Sequence, residues 1–232
     1  ISSVVYSAII PALQSTYGAR ELSWSNSKRY KDALFVESSQ PVTVTQHIIH
    51  QNNQEIITGK GRNALGTRFY LGSQTEIEQT VTGSFSGYAG MHYVSVVALE
   101  DSTEVRFRAR PGNLFDNLRD SVVFTLDQGQ SWVSTMRDSY DLIGTEVVAT
   151  KPIAVTAGGN HLKNSSAVNG DAGIDQITPV EQLGTKHVVL RGMNYFPQDY
   201  FMVVATEAGT QVSVDGVSIM TNAAPGDWYT FK

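Results

Sequence analysis

From Tyr93 to Leu99 the apolar residues run almost without a break, and from Thr103 to Ala109 they alternate, with Val105, Phe107 and Ala109 set against Glu104, Arg106 and Arg108. A short continuous apolar run fits a strand covered on both faces, and a period of two fits a half-buried strand. Glu100-Asp101-Ser102 separates the two segments, so the pattern predicts a hairpin. Further along, Val214 and Val217 flank Asp215-Gly216, a pair whose tolerance of positive φ marks a two-residue hairpin turn. Gln40-Pro41 and Lys151-Pro152 each predict a turn between two apolar strands. No long stretch carries a helical period; only Asn113 to Arg119 reads as a short helical turn.

The same pattern is written twice. YVSVVALEDSTEV (93 to 105) returns as YFMVVATEAGTQV (200 to 212), with seven of thirteen positions identical. Other matches keep the same order, which chance has no reason to preserve. ESSQPVTVT (37 to 45) is answered by VATKPIAVT (148 to 156), LGTRFYL (65 to 71) by LGTKHVVL (183 to 190), and GQSWVST (129 to 135) by GDWYTF (226 to 231). The three tryptophans, Trp24, Trp132 and Trp228, are expected at one recurring position, a strand that closes each unit.

The expected fold is therefore all-β: two tandem antiparallel β-sandwich-like units related by an internal repeat, each with six or seven short strands. One unit runs from 30 to 139 and the other from 140 to 232. Residues 1 to 29 read as the closing strands of a preceding unit or as an N-terminal extension. The other arrangement is a single larger pseudo-symmetric β-domain, or a propeller-like ring, to which both stretches contribute sheets.

Composition narrows the function classes. The 232 residues hold no cysteine, which removes disulfides, thiolate metal sites and cysteine nucleophiles together. A formal charge of −5 argues against nucleic acid as a partner. Arg106, Arg108 and Arg110 share one strand face by their spacing of two, and beside Glu104 they read as a solvated, edge-protecting face rather than an anion site. No run is long and apolar enough to predict a spanning helix, and Ile1-Ser2-Ser3 lacks a signal pattern, so the chain is expected to begin inside a mature or excised protein and not to insert in a membrane.

Enzyme constellations are missing. His47 and His50 are three apart, which puts them on opposite faces of a strand, where they cannot chelate one ion. The Gly59 to Gly66 run lacks the Gly-Lys-Ser/Thr end of a phosphate loop and leads into a strand. Gly83-Ser84-Phe85-Ser86-Gly87 misplaces its serines for a nucleophile elbow. The metal-ligating candidates are Asn169, Asp171 and Asp175, whose side-chain oxygens around glycines suit a hard cation such as Ca²⁺ if they form a wrapping loop; the other reading is a plain polar loop with no cofactor. The ligand-binding candidates are Phe85 and Tyr88 in the loop SFSGYAGMHY, and Tyr195 and Phe196 in GMNYFPQDY. Aromatic faces beside glycine or proline give large contact area at small entropic cost, and suit sugar rings or peptides. Packing against the end of the sandwich is their structural alternative.

The stretch YDLIGTEVVATKPIAVTAGGN, then DQITPVEQLGTKHVVL and YFMVVATEAGTQVSV, resembles the domain at the N-terminus of the IgG-Fc-binding protein and in many large bacterial surface proteins. Asp141, Gly144, Thr145, Pro152, Val155, Gly158, Gln176, Pro179, Gly184 and Thr210 carry the resemblance. It spans 140 to about 214, with 30 to 139 as a weaker copy that lacks the D-L-x-G-T and Q-x-x-P elements. The missing cysteines favour a bacterial surface relative. The resemblance implies a non-enzymatic extracellular or cell-surface adhesion module. Its expected partners are a glycan or protein ligand met through the end loops, or neighbouring repeats of the same protein; the alternative is a structural spacer or fibre-forming repeat.

Overall fold

The computed structural model describes residues 28–31, 33, 35–50, 53–73, 76–77, 91–112, 120–137, 142–163, 171–190 and 201–231. The strands are β1 (Lys28–Lys31), β2 (Thr45–His50), β3 (Asn53–Thr58), β4 (Leu65–Tyr70), β5 (Glu76–Ile77), β6 (Met91–Ala98), β7 (Thr103–Arg108), β8 (Ser121–Leu126), β9 (Gln130–Arg137), β10 (Glu146–Lys163), β11 (Asp171–Gln176), β12 (Phe201–Val204), β13 (Thr210–Val214), β14 (Val217–Ala223) and β15 (Trp228–Phe231). Short 3₁₀ turns at Gly61–Ala64 and Val180–Gln182 are the helical elements among the described residues. The fold is all-β, and its strand pairs are antiparallel. The expected helical turn at Asn113 to Arg119 lies outside the described residues.

The centre of the molecule is β10. Its first half, Glu146 to Ala149, pairs with β7, and Glu146 to Val148 pair with β4 on the other side. Its second half pairs with β6 through Ile153 to Val155, and with β11 through Thr156 to Gly159. Between the halves the register against β4 shifts from Val148 to Ile153. Pro152 falls in that shift, where the ladder does not need its missing N–H. The turn expected at Lys151-Pro152 is thus a bend inside one strand of 18 residues.

The hairpin expected from Tyr93 to Ala109 also takes another form. Val96 to Ala98 face Val155 to Ile153, and Val105 to Arg108 face Ala149 to Glu146, so β6 and β7 follow one another along β10 instead of pairing with each other. Leu99 to Ser102 form a corner that carries the chain from β6 to β7 along β10. Lys151 Nζ donates to Asp101 O at 2.6 Å, and Glu104 N donates to Thr150 Oγ1 at 3.0 Å, which ties the corner to the bend in β10. The turn between β8 and β9 is a parallel case, since β8 pairs with β7 and β9 with β6. All of these strands belong to one nine-stranded sheet of order β1-β9-β6-β10-β7-β8, in which β4, β5 and β11 also pair with β10.

The inward side chains are the ones the alternation selects. Val105, Phe107, Phe69, Leu71, Val96, Val147, Ile153 and Val155 are fully buried, and Trp132 stacks on Phe124 at 4.4 Å and tilts against Phe107 at 4.8 Å. Three of these residues, Val147, Ile153 and Val155, come from β10. The expected boundary between 139 and 140 is therefore spanned by one sheet and one core, because β10 fills the gap between β4 and the β6–β7 pair.

The strands from β12 onward repeat the pairing of β6 to β9: β12 pairs with β15 as β6 does with β9, and β13 with β14 as β7 does with β8. The corner turns match in detail. Thr103 Oγ1 donates to Glu100 O at 2.7 Å, and Thr210 Oγ1 to Glu207 O at 2.6 Å. Gly129 N donates to Ala98 O at 3.0 Å, and Gly226 N to Ala205 O at 2.8 Å. Setting Gly129 on Gly226 places Trp132 on Tyr229, opposite Val96 and Val203, so the expected equivalence of Trp132 and Trp228 does not hold. One fewer residue separates Trp228 from its glycine, and a shift of one residue turns a side chain to the other face. Trp24 lies outside the described residues.

Candidate binding surface

The outward face of the β8-β7-β10-β4 sheet is a grid of aligned side chains. One row runs Ser121, Arg108, Glu146, Tyr70, and the next Val123, Arg106, Val148, Arg68. Period-two alternation puts these residues outside because Phe107, Val147 and Phe69 occupy the inside. Glu146 is the hub of the grid. Its Oε1 accepts from Arg68 Nε and from Tyr70 OH, both at 3.0 Å. Arg68 Nη2 also donates to Tyr70 OH at 3.0 Å, and Nη1 to Glu207 Oε1 at 2.7 Å, which links β4 to the turn after β12.

These contacts set the protonation behaviour of the cluster. Burial alone would lower the Arg68 pKa, but the hydrogen bonds to Tyr70, Glu146 and Glu207 outweigh it and the net shift is upward. Tyr70 is raised, first by burial and then by donating to the Glu146 carboxylate, with Arg68 opposing. Arg68 is therefore a fixed cation.

Arg106 and Arg108 differ from it. Their side chains are 52% and 64% exposed, and each reaches a carboxylate, of Glu104 and Glu146 respectively, only at 4.0 Å. Val123 and Val148 beside them are exposed as well. Arg110, expected on the same face, lies past the end of β7 with its guanidinium 5.9 Å from the Trp228 ring centre. The grid thus combines one immobilised arginine, two available ones and two exposed valines on a rigid sheet.

The candidates from the sequence fall elsewhere. Phe85, Tyr88, Tyr195, Phe196 and Asn169 lie outside the described residues. Asp171 and Asp175 belong to β11, an extended strand in place of the expected wrapping loop. Four residues of strand separate them by about 13 Å. The Asp175 carboxylate accepts from Lys60 Nζ at 2.8 Å and from Gln176 N at 2.7 Å. His47 and His50 stand on β2, and Gly61–Ala64 forms a 3₁₀ turn leading into β4. Arg68, Tyr70, Glu146 and Glu207 gave no signal in the sequence, because their strands are far apart in the chain and only the pairing of β10 with β4 brings them together.

The residues behind the resemblance are joints of the scaffold. Gln176 Oε1 accepts from Lys60 N at 2.8 Å. A Cβ on Gly66 would overlap Pro179, one on Gly158 would overlap the Gly173 carbonyl, and one on Gly144 the carbonyl of Gly226. Val155 is fully buried. Asp141 lies outside the described residues. No helix among the described residues is long and apolar enough to cross a membrane.

The sequence profile of the family described as IgGFc binding protein matches residues 58–232, well over half of the chain. No curated protein and no solved structure matches it.

Proposed function

The chain belongs to the IgGFc-binding protein family, and from that premise we propose that it is a non-enzymatic binding module of an extracellular, surface-associated protein, which takes a protein ligand on the outward face of the β8-β7-β10-β4 sheet. The observation that supports this reading is the pair Arg106 and Arg108, exposed and held by no close carboxylate, beside Val123 and Val148. Arginine next to apolar surface is what protein interfaces concentrate. A sheet already fixed by the Arg68, Tyr70 and Glu146 contacts loses little freedom when it is covered.

The family's name makes the Fc part of immunoglobulin G the first ligand to try. Binding of the chain to immobilised Fc is expected to weaken at least about tenfold in Arg106→Glu/Arg108→Glu, a change of about 1.4 kcal/mol, with the melting curve unchanged. Binding that survives in that variant would move the contact off the sheet face. Replacing Phe85 and Tyr88, or Tyr195 and Phe196, by alanine would then test the end loops, against glycan as well as protein ligands.

A further inference from the structure

Two exposed apolar stretches have counterparts that are buried against each other inside this same chain. Residues 35 to 45 align with 146 to 156, the first part of β10. In β10 the inward residues Val147, Ile153 and Val155 are fully buried; their counterparts Val36, Val42 and Val44 are 54%, 60% and 38% exposed. The hairpin that follows begins alike in both places, Thr45 facing Thr58 in β2–β3 and Thr156 facing Gln176 in β10–β11. The approach is the same too. Ala33 N donates to Gly129 O at 3.3 Å, and its counterpart Gly144 packs on Gly226, the counterpart of Gly129. The stretch 35–44 thus leaves its glycine turn as 146–155 does, but pairs with no strand among the described residues.

The receiving side follows from the same alignment. β10 lies between β4 and the β6–β7 pair. The counterparts of β6 and β7 are β12 and β13, and, with one residue inserted after the shared Leu-Gly-Thr so that Leu71 meets Leu190, those of Phe69 and Leu71 in β4 are Val188 and Leu190. Phe69 and Leu71 are fully buried, whereas Val188 and Leu190 are 94% and 86% exposed. Among the described residues β12 pairs only with β15, and β13 only with β14.

We infer that a second copy of this chain fills this slot: residues 35–44 of one copy enter as a strand between 185–190 and the β12–β13 pair of another, as β10 does between β4 and the β6–β7 pair. Main-chain hydrogen bonds to both sides supply the attachment, and Val36, Val42 and Val44 enter the apolar positions beside Val188, Leu190 and Val212. The contact is heterologous, so it leaves one free donor and one free slot at the ends of every assembly and builds open chains unless its rotation closes a ring. It is weaker than its internal template. Glu181 accepts from Thr67 N and Oγ1 at 2.9 and 2.6 Å at the β4 joint, and the 3₁₀ turn before β4 offers Asn63 in that place, whose neutral amide oxygen is a weaker acceptor than a carboxylate.

Sedimentation of the full chain over a concentration series tests this. Wild type is expected to grow past the dimer with concentration. Val42→Asp, which spoils the donor, and Leu190→Asp, which spoils the slot, are each expected to stay monomeric and, since both side chains are exposed in the single chain, to melt as wild type does at dilutions where it too is monomeric. An equimolar mixture of the two retains one good donor and one good slot, and should stop at a 1:1 dimer. A synthetic peptide of residues 35–45 should return wild type to monomers, an arm that does not depend on either variant folding. Assembly that persists in both variants, or that ignores the peptide, would overturn the inference. So would a wild-type chain that stays monomeric while binding the peptide, because the strand would then come from a different polypeptide.

Discussion

β6 to β9 and β12 to β15 share one pairing scheme and the same turn hydrogen bonds, yet among the described residues only the first set encloses a core. Val105 and Phe107 are fully buried, while Val212 and Val214 at the matching positions of β13 are half-buried. Trp132 is stacked inside; Tyr229 in its place is 45% exposed. The difference is not in the four strands themselves. It lies in β10, which is wedged against the first set and has no counterpart against the second among the described residues. Local pattern is thus enough to form the strands and their turns, and a strand from the following stretch of chain is needed to make a closed core from them.

The sharpest way to break the comparison is to weaken β10 and its exposed counterpart in turn. Ile153→Ala removes a fully buried side chain from the centre of the core, and a loss of about 2–5 kcal/mol in unfolding free energy is expected from denaturant titration. Val42→Ala, at the equivalent position but 60% exposed, should change stability by less than about 0.5 kcal/mol. Equal losses in the two variants would mean that the two stretches sit in similar surroundings.

A smaller effect separates Gly66 from Gly184. A Cβ at Gly66 meets the ring of Pro179, while the nearest atom to one at Gly184 is Lys186 O at 3.7 Å. Gly66→Ala should cost about 1–3 kcal/mol through overpacking, and Gly184→Ala close to nothing, by thermal or chemical denaturation. Smaller again is the pair of corner threonines. Thr103→Val strands the Glu100 carbonyl beside a fully buried position and should cost about 1 kcal/mol; Thr210→Val, half-buried, should cost less.

What the sequence discloses of this molecule follows from the range of the forces involved. The alternation of Thr103 to Arg108 is legible because burial acts residue by residue on a strand, and it reappears as a strict buried–exposed pattern in β7. Asp215-Gly216 is legible because positive φ is a local demand, and both residues meet it, at 49° and 84°. The corner at Leu99 to Ser102 has the residues of a hairpin turn, and nothing within thirteen residues of sequence says that β6 and β7 will each prefer β10. The same holds for the grid. Arg106 and Arg108 can be read as one face, but the meeting of Arg68, Tyr70, Glu146 and Glu207 depends on a register between strands about eighty residues apart in the chain. The matched segments are visible in the sequence, whereas the placing of β10 against the preceding set of strands is a property of three dimensions.

The smallest effect concerns the one joint where β4 meets the turn at Val180–Gln182. Burial would raise the Glu181 carboxyl, but hydrogen bonds from the Thr67 side chain, from its own backbone N–H and from those of Thr67 and Arg68 win and hold it below the usual carboxylate range. A carboxyl whose folded pKa is depressed adds stability that is fully present above its unfolded value, about 4.3, and that fades as pH falls through the folded value. Glu181 is exposed, so solvent screening limits the gain to about a few tenths of a kcal/mol. Glu181→Gln keeps an oxygen for Thr67 but cannot ionise. The difference in melting temperature between wild type and this variant should therefore be small and constant from pH 5 to 8, and should shrink steadily as the pH is lowered from about 4.5 toward 3. A difference that stays constant across the acid range would show that the Thr67 contact acts through geometry alone and owes nothing to the charge.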